Sequence, residues 1–256
     1  MEILYEHISH PTIRGLMPQD EPDSCIITEA DVGLISRMTL LHPVNIVARA
    51  AIIDKTSKLE CRHQMFLDPT SRPDITWVYV DSSGDERVIA IMDFKNTNIL
   101  HEVDFRGARI ATQDGAKATL QQLKTRITTE EQETDLIHNG KNISKQLKKY
   151  YHAGGAPDVA VFDWKVMAVY DFSDVSENEQ NPRPTIITWY VAVFDWKVMA
   201  VYDFSDVSEN EQNPRPTIIT WFSEAEMSNA DLSRGKTFRS LTLGFLMGSL
   251  RRYGLV

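Results

Sequence analysis

Residues Val159–Trp189 (VAVFDWKVMAVYDFSDVSENEQNPRPTIITW) recur without a change as Val191–Trp221, with Tyr190 and Phe222 in the matching position after each copy. Each copy holds strand-like runs, VAVF and VMAVYDF, broken at Asp-Trp-Lys. A polar loop with Asn-Pro-Arg-Pro and a further strand-like run, TIITW, follow. Two copies fall short of the three or so units that a solenoid needs, and solenoid repeats normally diverge. Perfect identity points instead to a recent in-frame duplication or a gene-model error. The core is expected to have a place for one copy, leaving the other as an extra strand set, a swapped element or a poorly packed segment. Identity between the copies leaves open which one sits in the core.

A chain of 256 residues and 29.2 kDa can bury a real core. Its 42% hydrophobic and 25% charged residues are globular proportions, which exclude long disorder and disulfide-dense scaffolds. No apolar run approaches the roughly 20 residues of a membrane span, and Met1–Arg14 lacks the apolar core of a signal peptide. Cys25 and Cys61 lack metal-ligand spacing, so an intracellular setting, nucleus or cytoplasm, is expected, with one disulfide still open. The net charge of -9 argues against a generally sticky nucleic-acid binder. It is uneven, however. Lys141, Lys145, Lys148 and Lys149 stand in an acid-free stretch, as do Arg234, Lys236, Arg239, Arg251 and Arg252. Two basic helices could form one phosphate-facing strip, or be ordinary solvated faces.

The first 43 residues, with Pro11, Pro18 and Pro22, read as an irregular segment before one domain over 44–256. Val44–Ile53 reads as a helix that could continue through Glu60. Ile75–Asp81 and Arg87–Lys95, separated by Ser82-Ser83-Gly84-Asp85, read as a β-hairpin. Gly115–Arg126, Ile143–Tyr151 and Lys236–Arg252 read as helices. This order of elements predicts an α/β (α+β) fold, with a mixed sheet flanked by helices.

The hairpin carries the chemistry. A turn centred between Ser83 and Gly84 sets Asp74 opposite Asp93, and opposed residues hold their Cβ atoms about 4.5–5.5 Å apart. Period-two alternation puts Lys95 on the face of Asp93. Residues Val88 to Met92 are apolar throughout, as in a buried central strand. Two carboxylates and an ammonium therefore converge at the end of a buried hairpin. Adjacent buried carboxylates repel, so a proton, a cation or the lysine must neutralise them. Mg²⁺ (or Mn²⁺) suits such a site, because it favours a few carboxylate oxygens with water and phosphate completing its shell. The Phe94 carbonyl could add an oxygen, and Lys95 could orient water or offset charge on phosphorus. A plain salt bridge of Lys95 with Asp93 and Asp74 is the alternative.

Arg72-Pro73-Asp74 followed by Asp93-Phe94-Lys95 resembles the PD-(D/E)XK nuclease superfamily, the restriction-endonuclease-like fold. Gln146-x-x-x-Tyr150 resembles the helix motif of its exonuclease-like branch, where positions i and i+4 share a helix face. The stretch APDVAVFDWKVMAVYDF and Phe238–Leu250 are similar to the strand pair and terminal helix of fungal members. The resemblance implies that Asp74 and Asp93 bind metal, that Lys95 is catalytic, and that Gln146 and Tyr150 position nucleic acid or the lysine. Lys145 and Lys149 would approach the nucleic-acid backbone. It also implies an acid on the preceding helix, for which Glu60 is the first candidate and Asp54 the second. The expected function is metal-dependent phosphodiester hydrolysis, with an inactive nuclease-fold binding module as the alternative. Pro157-Asp158 and Asp163-Trp164-Lys165 imitate the motif, but four intervening residues leave no room for a hairpin, so the tripeptide reads as a turn.

Overall fold

The run from Val88 to Met92 has apolar residues on both faces, and in the computed structural model it lies at the centre of a sheet packed on both sides. The structure describes residues 26, 28–106, 137–172, 198–200, 218–223 and 238–256. The helix expected over Gly115–Arg126 lies outside them, as does Cys25; Cys61 is a free thiol.

Strands β1 (Lys58–His63), β2 (Ile75–Val80), β3 (Glu86–Phe94), β4 (Asp158–Phe162) and β5 (Val166–Asp171) form a five-stranded mixed sheet. Strands β6 (Val198–Ala200) and β7 (Ile218–Ser223) extend it, giving the order β1-β2-β3-β4-β5-β7-β6. Among the described strands, only the β3–β4 pair is parallel. A parallel neighbour needs a crossover, and helix α4 (His138–Gly154) lies in the connection between these two strands.

Side chains alternate between two cores. Ala90, Met92, Ala160 and Phe162 face helices α1 (Glu29–Ser36), α2 (His42–Ala51) and α5 (Phe238–Arg252), while Ile91, Val159 and Val161 face α4. The short helix α3 (Glu102–Arg106) leans on α4, closely enough that a Cβ on Gly140 would come within 2.9 Å of the Asp104 carbonyl oxygen. With α4 and α5 on opposite faces, their basic residues do not make one strip. The α5 residues from Leu241 to Met247 are buried, so that helix is a core element.

Two expectations are corrected here. Residues 29–41, read as irregular, are helical: α1 continues through a π-helical stretch, Arg37–Leu41, into α2. Thr28 and Asp31 start it with reciprocal caps, Asp31 N–H donating to Thr28 Oγ1 (3.2 Å) and Thr28 N–H to Asp31 Oδ2 (2.9 Å). Val32, Leu40 and Leu41 join the same core cluster as Val44. The next helix stops at Ala51 and does not reach Glu60, which lies on edge strand β1. The Asp54 carboxylate accepts from Thr56 N–H (2.9 Å), Thr56 Oγ1 (2.6 Å) and Ser57 Oγ (2.5 Å), a local turn that competes with helix.

The first copy of the duplicated block supplies β5 and all of β4 but Asp158, and the second supplies β6 and most of β7. Asp163 closes the turn between β4 and β5, accepting from the N–H groups of Lys165 (3.1 Å) and Val166 (2.8 Å). The tripeptide is a turn, as expected.

Candidate active site

The register at the site end of the hairpin pairs Ile75 with Met92, and continuing it sets Asp74 against Asp93. The turn itself differs from the expectation by one residue. Val80 pairs with Glu86 because the Asp81 carboxylate gathers the N–H groups of Ser83 (2.8 Å) and Asp85 (3.0 Å). A bulge at Ile89, between the pairs Trp77–Ala90 and Val78–Val88, restores the register before the acids are reached. An uncorrected slip of one residue would have reversed every side chain.

Asp93 is 2% exposed. Its Oδ2 forms an ion pair with the Lys95 ammonium, while Oδ1 accepts from the Tyr150 hydroxyl at 3.2 Å. Gln146 Nε2 donates to that same hydroxyl at 2.6 Å. The i, i+4 pair on α4 thus acts as a brace, Gln146 holding Tyr150 and Tyr150 holding Asp93. Asp74 Oδ2 accepts from Phe94 N–H at 2.7 Å, fixing one acid to the strand that bears the other. The Phe94 ring is turned into the core, edge-on to Phe162. Burial pushes the Asp93 carboxyl up to about 6; Lys95 opposes the rise, and the charges of Asp74 and Glu29 add to it. Burial and the charge of Asp93 push the Tyr150 phenol up as well, so it stays a proton donor.

The acid brought from the preceding helix is Glu29, in place of Glu60 or Asp54. Its Oε2 lies 3.8 Å from Lys95 Nζ, and its carboxyl is raised by burial against the opposing pull of Lys95. Two bonds pin its segment to the residues after Lys95: Glu29 N–H donates to Asn96 Oδ1 (2.6 Å) and Thr97 Oγ1 to the Ile26 carbonyl (3.1 Å). Thr28-x-x-Asp31 ahead of an apolar run is the sequence signal that finds this helix and its first-turn acid. Glu60 is paired with Arg62 (2.8 Å), which also binds Glu86, and Asp54 is exposed in its own turn.

Lys145 and Lys149 are both exposed on α4. Lys149 Nζ donates to the Thr70 carbonyl at 2.7 Å, tying the β1–β2 loop to the helix. Asp93 and Glu29 both pair with the Lys95 ammonium, and the charge of Asp74 acts on both acids. Carboxylate oxygens are the kind of donor that suits a hard divalent cation, and Asp74 and Asp93 are the residues that could hold one. Among the described residues no group of three or more His, Cys, Asp or Glu side chains is placed to hold a metal ion. Among the described residues no helix is long and apolar enough to cross a membrane. Comparisons with protein-family models, with curated proteins and with solved structures found no match.

Proposed function

We propose that this chain is a metal-dependent nuclease of the PD-(D/E)XK type, hydrolysing phosphodiester bonds in nucleic acid with Mg²⁺ or Mn²⁺. The observation that carries the reading is the environment of Asp93: a carboxylate removed from water, beside two further acids, with one ammonium against it. When bound, a divalent ion supplies neutralising charge and polarises a phosphate oxygen. Asp74 and Asp93 would hold it. Tyr150 and Gln146 keep Asp93 oriented, and Asp74 is fixed by the Phe94 N–H. Lys95, only partly exposed, is placed to offset charge building on a phosphate oxygen. Glu29, half-exposed at the mouth, is placed to orient water beside Lys95. Lys145, open to solvent on α4, is free to meet the backbone, a contact that positions without reading sequence.

The test is cleavage of labelled DNA and RNA in Mg²⁺ by the wild type, Asp93→Asn and Lys95→Ala, with folding checked by circular dichroism. Each variant should lose about a hundredfold or more in rate. Variants as active as the wild type would refute the reading. A second reading, a nuclease-fold binding module without turnover, draws on the same ion pair, because Lys95 already neutralises Asp93 in the absence of metal. Nucleic-acid binding with no cleavage in either metal would select it.

A further inference from the structure

We infer that Phe66 and Arg72 form a stacking platform for an unpaired base beside this site, which makes single-stranded nucleic acid, or a frayed end, the preferred substrate. The inference rests on the nuclease reading for its substrate class. Single exposed apolar residues are ordinary, and Phe66, 63% exposed, would be unremarked alone. Its setting is what distinguishes it. The Arg72 guanidinium lies 5.2 Å from the ring centroid, within cation–π range. The loop that presents both side chains is firmly built. Leu67 N–H donates to the Ser71 carbonyl (2.9 Å), and the Asp68 carboxylate accepts from Thr70 N–H (2.6 Å) and Ser71 Oγ (2.9 Å). Leu67 packs against Gly154, its Cδ1 3.1 Å from where a Cβ would sit, and Lys149 grips the Thr70 carbonyl. The loop ends by donating Gln64 N–H to the Asp74 carbonyl (2.9 Å).

Phe66 is therefore held out in water by a preorganised loop anchored to both the acid-bearing hairpin and α4. Arg72 is two residues from Asp74, which limits their separation along the chain to about 7 Å. With Arg72 over one face of the ring, the other is the one on which a base would stack, and the guanidinium can take the adjoining phosphate. Duplex bases are already stacked on their neighbours, so this arrangement favours single strands.

Fluorescence anisotropy of a labelled oligothymidine and of a blunt duplex, in EDTA to prevent turnover, tests the inference. The wild type should prefer the single strand. Phe66→Ala should weaken that binding roughly tenfold without changing duplex affinity, and Phe66→Trp should restore it. Arg72→Ala should lower the slope of log affinity against log salt by about 0.7. A Phe66→Ala protein that binds the single strand as the wild type does, or a wild type that does not bind it, overturns the platform. Cleavage is scored separately. Asp93-dependent cleavage with unchanged Phe66→Ala affinity sinks the platform alone. Phe66-dependent binding without cleavage keeps the platform and sinks the nuclease reading.

Discussion

Burial makes Asp93 costly to ionise, and Lys95 only partly offsets that cost. The raised carboxyl pKa has a definite consequence for the metal-free protein. The stability contributed by its protonated form is fully present below the ordinary carboxylate range, near pH 4, and is lost as pH rises through about 6. Urea unfolding in EDTA at pH 5 and pH 7.5 should therefore show a fall for the wild type that shrinks in Asp93→Asn; an identical fall in both would contradict this account. Tyr150→Phe removes one bond to Asp93 and one from Gln146, and should cost about 1 kcal/mol in the same measurement. The partnership of Asp74 and Asp93 is legible in the sequence because strand alternation has a fixed period. Glu29 is hidden by distance, because it meets Lys95 only through long-range packing of α1 on Phe94. The Phe66–Arg72 contact depends on loop geometry, which side-chain periodicity does not encode.

At the level of elements, the site depends on where helices begin and strands bulge. Thr28→Ala removes the cap that starts α1 and should cost about 1 kcal/mol of stability. It should also speed hydrogen exchange over residues 29–36 more than over α4, and uniform exchange would show that the cap has no local role. The helix over 42–51 and the hairpin can be read from apolar patterning. The bulge at Ile89 cannot, because an unbroken apolar run gives no period by which to detect an extra residue. Nor does the pattern reveal that β1 follows α2. Lys58–His63 (KLECRH) has just one fully buried side chain, Leu59, and is defined mainly by its pairing with β2.

For the whole molecule, the duplication sets the clearest test. The sequences of β4 after Asp158, of β5 and of the Ile-Ile-Thr-Trp part of β7 all occur within a single copy. Strand β7 is flanked by the same Val-Met-Ala run on both sides. It pairs Met167 with Phe222 but Met199 with Ile219, so the two copies meet it in different registers. Deleting residues 191–222 removes β6 and nearly all of β7, but Ile186–Trp189 of the first copy should take the place of Ile218–Trp221, leaving a cooperatively unfolding protein with the site intact. Collapse of the transition would show that the second copy is essential to the core. The sequence makes the mixed α/β architecture legible, since the order of helices and strands follows from patterning. It does not show how the two copies divide the sheet, because identical sequences give no local reason for either to be preferred.

The central claim is that Asp74 and Asp93 share a divalent ion, and titration of the metal-free protein with Mn²⁺ by calorimetry tests it most directly. Saturable binding by the wild type, weakened at least about tenfold in both Asp74→Asn and Asp93→Asn, is the predicted result. No binding by the wild type, or equal binding by all three proteins, would contradict it.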